Sequence, residues 1–176
     1  YLPESIHASH KNWVPPIYSD EWKFYDPKYN KALLLADTIL FLAYEGKLPV
    51  GRIMGIINKK HNENNHELTA RFFNLDCYDN PGVSHLLIES VEKWAKDKGM
   101  NKVIGPFGFS DKDPEGAQVE GFENLPVIAT ASNLPYLPLL IEKEGYIKET
   151  DCLVYKLYIP SPIPDFYQKV YDRVIR

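Results

Sequence analysis

Residues Glu67 to Pro106 read ELTARFFNLDCYDNPGVSHLLIESVEKWAKDKGMNKVIGP, a strand, a helix and a second strand in sequence. ELTARFFNLDC is rich enough in aromatic and apolar residues for a strand. The helix that follows is well signalled. Asp79 or Asn80 can cap it, and Pro81 sits where the first turn tolerates proline. Val83, Leu86, Leu87, Val91, Trp94 and Ala95 recur at helical spacing and predict one apolar stripe. Lys96 and Lys98 suit its carboxyl end, and Gly99 stops it. KVIGP is then a short strand. Two strands joined by a crossover helix pair parallel, with a right-handed connection.

Upstream, TILFLAYE (38–45) and VGRIMGIIN (50–58) flank the turn EGKLP and predict an antiparallel pair. KKHNENNH (59–66) reads as a polar tip, so the strand after it pairs antiparallel as well. Downstream comes a long irregular stretch, GPFGFSDKDPEGAQVEGFENLP (105–126). PVIAT (126–130) then predicts a strand. NLPYLPLLIEKEGY predicts a helix whose regular part begins near Tyr136, because Pro138 cannot sit deep in a helix. DCLVYKLYI (151–159) predicts a final strand. The sum is a mixed α/β sheet, antiparallel first and parallel in the middle, with helices packed on it.

With 176 residues the chain fits one domain. Hydrophobic residues make up 44% and charged residues 25%, an ordinary globular composition. A net charge of −4 gives no general attraction to nucleic acid or to an anionic membrane. No apolar run approaches the length of a membrane span. The two cysteines, Cys77 and Cys152, fall inside strand-like segments and suit a reducing, cytoplasmic setting better than a disulfide framework. The chain begins at Tyr1, and the prolines from Pro160 to Pro164 read as an exit linker before a short amphipathic helix that stops at Arg176. The expectation is a domain over 1–160 with an aromatic-rich amino-terminal segment, then 161–176 as linker and truncated helix of a longer protein.

The antiparallel meander, the helix opening just after the third strand and the late helix ending in EKEGY together resemble the GNAT superfamily of acyl-CoA-dependent N-acyltransferases, over roughly Asp37 to Ile159. NWVPPIYSDEWKFYDPKYN, FLAYEGKLPVGRI, KWAKDKGMNKVIGPFGFS, VEGFENLPVIAT and YLPLLIEKEGY are similar to a bacterial GNAT-like subgroup, in which such a region forms the first half of a larger chain. The resemblance implies a GNAT-like fold, acetyl-CoA or another acyl-CoA as donor, a small-molecule amine as acceptor, and a second GNAT-like half as partner.

It also assigns residues. The donor's pyrophosphate would lie on the amino terminus of the main helix, where free amides and the helix dipole attract anions. DNPGVS (79–84) falls on the family's phosphate pattern, with Gly82 and Ser84 on its small positions. Cys77, Tyr78, Gly82, Val83, Ser84 and Asn133 are therefore cofactor-side candidates. Asp76, at the end of the third strand, would lie near the reacting amine as a general base; otherwise it is a solvated or capping acid. The family's tyrosine that protonates the leaving thiolate falls on Ile141, and Tyr136 is the available substitute. Asp79 and Pro81 also depart from the phosphate pattern. These departures keep a second reading open, a GNAT-like half that supports or binds without catalysis.

The stretch 105–126 holds four glycines, three prolines and five acids. Asp111, Asp113 and Glu115 fit the first, third and fifth positions of an EF-hand, and Gly116 the sixth, but Phe122 stands where the twelfth must be glutamate. An irregular cation site, a cleft wall whose Asp111, Asp113, Glu115 and Glu120 receive a cationic amine, and a surface loop pinned by Phe107, Phe109 and Phe122 all remain open. His61 and His66 lack an evident third ligand, and no metal site is expected. His85 is either a phosphate contact or a polar position on the helix.

Overall fold

A computed structural model describes residues 1–128 and 130–175. The four-stranded sheet has the order β1-β2-β3-β4. β1 (Ala36–Glu45) and β2 (Leu48–Asn58) form a hairpin, β2 and β3 (Thr69–Cys77) are antiparallel, and β3 and β4 (Lys102–Ile104) are parallel. The expected mixed α/β sheet is therefore present.

α4 (Pro81–Asp97) crosses one face of the sheet between β3 and β4. Three shorter helices come earlier: α1 (Leu2–Ile6), α2 (Tyr18–Phe24) and α3 (Lys59–Asn65). Asn80 is the cap, its side-chain oxygen accepting from the Gly82 and Val83 amides at 3.0 and 3.4 Å. The stripe buries Ser84, Leu87, Ile88, Val91 and Ala95. Leu86, expected in that stripe, is 59% exposed, because the buried arc is centred between Leu87 and Ile88 and leaves it on the flank. Gly55 on β2 lets α4 approach, since a Cβ there would meet Trp94 and Ile39 at 2.9 Å. The main core joins Ile53, Phe72, Leu75 and this helix to Leu137, Leu140 and Ile141 of α5 (Tyr136–Lys143). α5 begins at Tyr136, as Pro138 requires.

Three expected features differ. KKHNENNH is not an irregular tip: Lys59–Asn65 form α3, capped by the Asn58 side chain and closed by His66 at φ 56°. Asn62 makes this short helix worthwhile, because it is buried and donates to the Thr69 carbonyl at 3.0 Å. PVIAT forms no strand among its described residues; Ala129 lies outside them. The Thr130 amide donates to the Val127 carbonyl at 3.1 Å, and Ile128 is 93% exposed. DCLVYKLYI forms no strand. The edge strand β4 offers only three residues for pairing, and Leu153, Val154, Tyr155, Leu157, Tyr158 and Ile159 are 64–87% exposed. Beyond the prolines, α6 (Asp165–Val174) buries no residue. The helix end expected at Arg176 lies outside the described residues.

The stretch 105–126 is held from several sides. Buried Arg71 donates to the Gly108 and Phe109 carbonyls at 2.9 and 3.2 Å and lies 4.0 Å from the centre of the Phe107 ring. Phe109 packs with Met54, Ile56 and Phe73. At its start, a Cβ on Gly105 would lie 2.5 Å from the Phe72 carbonyl oxygen. Backbone cannot yield as a flexible side chain can. Gly105→Ala is expected to destabilise the fold by about 1–3 kcal/mol, read as a lower urea midpoint. Leu157→Ser, on an exposed side chain, should stay within about 0.5 kcal/mol of the parent.

Candidate functional site

β3 loses its neighbour partway along. Its parallel pairing ends at Arg71↔Ile104, and the Phe107 amide makes one further bond to the Phe72 carbonyl at 2.8 Å. The last third of β3 also bulges. Arg52↔Asp76 and Met54↔Phe73 are successive pairs, so β3 carries an extra residue between them, and Asn74 takes φ 48°. Such bulges bend the strand and re-aim its side chains. The Asn74 carboxamide donates to the Tyr25 hydroxyl at 2.6 Å, which ties the bulge to the amino-terminal segment.

A cavity of about 240 Å³ opens at this point. His7, Trp13, Arg52, Asp76, Ser132 and Asn133 are among its walls. Its charged wall belongs to a chain of contacts drawn from four parts of the sequence. Arg52 donates through Nε to Asp76 Oδ2 at 2.8 Å and through a terminal nitrogen to Glu21 Oε1 at 2.9 Å. The other Asp76 oxygen lies 3.4 Å from His7 Nε2. The His7 ring is 4% exposed and stacks on Trp13 at 4.9 Å, tilted by only 4°. The Tyr1 ring covers Arg52 at 5.9 Å.

Burial pushes the Asp76 carboxyl up, but the His7 hydrogen bond and the Arg52 charge outweigh it and hold the group below its ordinary value. Burial works against the Arg52 charge too, and Asp76 more than offsets it, raising the guanidinium above its usual range. Among the described residues, Nδ1 of His7, Nδ1 of His10 and Oγ of Ser132 are buried without a partner.

Of the sequence candidates, Asp76 and Asn133 line this cavity. Asn133 is also a staple: its side chain accepts from the Gln118 amide at 2.7 Å and donates to the Gln118 carbonyl at 3.1 Å. Tyr136 lies at the open edge of β3, donating to the Cys77 carbonyl at 2.7 Å. Burial and the nearby Cys77 and Asp79 push its phenol above its ordinary value, so it stays a proton donor. Burial and the Asp76 charge push the Cys77 thiol up to about 12, which leaves it inert as a nucleophile. Tyr78 and Gly82 are exposed at the start of α4, Val83 is half-buried, and Ser84 is fully buried with its hydroxyl on the Pro81 carbonyl at 3.1 Å. The Gly82 and Val83 amides are held by Asn80, so an anion at this helix end has to displace that carboxamide.

The four candidate acids of the 105–126 stretch, Asp111, Asp113, Glu115 and Glu120, do not line the cavity; Pro114 and Gly116 do. Asp113 instead caps its own turn, accepting from the Phe109 and Ser110 amides at 2.7 and 3.2 Å. Asp111, Glu115 and Glu120 are exposed. Among the described residues no group of three or more His, Cys, Asp or Glu side chains is placed to hold a metal ion. His85 bonds Glu144 at 2.7 Å and straps α4 to the end of α5.

Sequence reasoning missed His7, Trp13, Glu21 and Arg52 as site residues. Arg52 carried a signal, a charge amid the apolar run VGRIMGIIN, which a sheet buries only with a partner. His7 carried none, since its partner Asp76 is 69 positions away.

No family model matches the chain, and no solved structure matches it. A Caulobacter vibrioides (strain NA1000 / CB15N) protein named bacterial ceramide synthase is 29% identical over 169 residues, which are 96% of this chain and 44% of that protein. The chain therefore spans less than half the length of this relative. Among the described residues no helix is long and apolar enough to cross a membrane.

The folded Asp76 carboxyl titrates below its ordinary 3.8, so the stability it adds is complete above that pH and is lost as pH falls through the lower folded value. Asp76→Asn is expected to cost about 1.5–3 kcal/mol at neutral pH, the worth of a hydrogen bond to a charged group. Melting curves should show this gap narrowing once pH drops below the carboxylate range.

Proposed function

We propose that this chain carries the site of a GNAT-like acyltransferase, which moves an acyl group from an acyl-CoA thioester to an amine. The observation that carries the reading is the cavity at the open edge of β3, with Asp76, Arg52 and His7 joined along its wall. An acyl transfer of this kind needs three things: an unpaired strand edge to align a donor, a group that removes a proton from the amine, and a charge balance that receives an ammonium ion. One guanidinium faces two carboxylates here, those of Asp76 and Glu21, so the balance favours a cationic guest. The Tyr136 hydroxyl, beside the same edge, is the donor nearest to hand for a departing thiolate.

The Caulobacter relative's name, that of an acyltransferase, supports the class of reaction and not a particular acceptor. The amine class, the acyl-CoA donor and a second GNAT-like half belong to the same proposal. The capped amides of α4, with Asp79 exposed beside them, favour a second reading, a GNAT-like module that supports or binds without turnover.

Thiol release separates the two. Full-length protein is given acetyl-CoA or a long-chain acyl-CoA with short-chain and long-chain primary amines, and free coenzyme A is followed with a thiol-reactive dye. Amine-dependent release that falls at least about 100-fold in Asp76→Asn is the expected result. Acyl-CoA binding without release, with every amine, would establish the second reading.

A further inference from the structure

We propose that residues 8–16 form a lid over the cavity and that Asn12 is its latch. The inference stands on how the cavity is walled and does not depend on the chemistry assigned to it.

The segment is held at both ends and loose between them. Before it, Pro3, Ile6 and His7 are buried. After it, α2 is fixed by Glu21 on Arg52 and by Phe24 against Phe73 and Phe109. Residues 8–16 themselves form no helix or strand, and none of them is buried. A stretch with so little buried contact opens at lower cost than the strands beneath it. Yet it supplies Trp13, Val14 and Pro16 to the cavity wall, while Pro114, Gly116 and Ser132 come from the long stretch after β4.

Among the described residues one hydrogen bond joins these two parts of the wall. The Asn12 carboxamide donates to the Phe122 carbonyl at 3.0 Å, across 110 positions of sequence. Trp13 follows directly, with its ring stacked on His7 at 4.9 Å. His7 is held from its other side by Asp76, so it stays in place when Trp13 lifts away. Opening therefore breaks one hydrogen bond and one ring stack, and leaves the chain of Glu21, Arg52, Asp76 and His7 whole. With the lid closed, the Arg52 and Asp76 side chains are only 19% and 18% exposed. A guest that reaches them enters past Trp13, and closure behind it excludes water.

The test measures reagent access in full-length protein and needs no turnover. Ser132 lines the cavity with its hydroxyl oxygen buried, so a thiol in its place is reached only when the cavity opens. Labelling of Ser132→Cys by N-ethylmaleimide is followed by peptide mass spectrometry. Adding Asn12→Ala is expected to raise the labelling rate about 2–10-fold, the worth of one hydrogen bond in an opening equilibrium. Exposed Cys152 is the internal control and should label at an unchanged rate. The same rate at position 132 with and without Asn12→Ala overturns the latch. Should either variant fail to fold, amide exchange of the wild type decides the point. The Trp13 amide, bonded to the His10 carbonyl at 3.0 Å, is expected to exchange at least about 10-fold faster than the amides of the β2–β3 pairs. Equal protection overturns the lid, and leaves the acyl-transfer reading as it stands.

Discussion

Arg52 carries a guanidinium onto the covered face of the sheet, and the amino-terminal half of the fold is arranged around that charge. A buried cation is costly unless its donors are met by anions with good geometry. Here Asp76 meets it from β3 and Glu21 from α2, at 2.8 and 2.9 Å. Each contact does structural work in a different direction. The first joins neighbouring strands across the bulge, and the second pins the aromatic-rich amino-terminal segment to the sheet. Asp76 then extends the chain of contacts to His7, which fastens the end of α1 at the same place. Replacing such a network by apolar side chains often costs nothing in stability. Its presence is therefore better explained by what it places at the cavity than by how tightly it holds the fold.

The cavity has a separate origin in backbone topology. β4 is three residues long, and after Ile104 the chain turns off under the Phe72 carbonyl, at a position where only glycine fits. β3 runs on for six residues past its last pair with β4, Arg71↔Ile104. An antiparallel partner on one side and no partner on the other leaves that edge of β3 facing α5, and Tyr136 reaches it at Cys77. The bulge at Asn74 brings the Asp76 side chain into register with Arg52. Topology thus supplies the opening, and one extra residue supplies the acid that faces it.

These two origins explain what could be read from the sequence. The meander, α4 with its Asn80 cap and Gly99 stop, and the start of α5 at Tyr136 are set by neighbours within one or two turns, so local patterns report them. Asp76 was legible because it ends a strand immediately before a capped helix. His7 was not, because one histidine in a segment full of aromatics has no pattern that points across the sheet. The acids of the 105–126 stretch misled for a related reason. Composition counts carboxylates without saying which of them face inward, and Asp113 is used up by the amides of its own turn. DCLVYKLYI shows the same limit for strands, since alternation and β-branching give a propensity, and pairing still needs a neighbouring edge of matching length.

The amino-terminal segment lies outside the sheet and still supplies part of the cavity wall. His7 and Trp13 line it, stacked ring on ring, and Glu21 of α2 is held by Arg52. α1 is only five residues long, and helices this short have little order without tertiary contacts. Its order therefore comes from contacts such as that of His7 with Asp76, whereas Asp76 keeps Arg52 as a partner without it. Undocking α1 would open this wall of the cavity without dismantling the strand edge beside it.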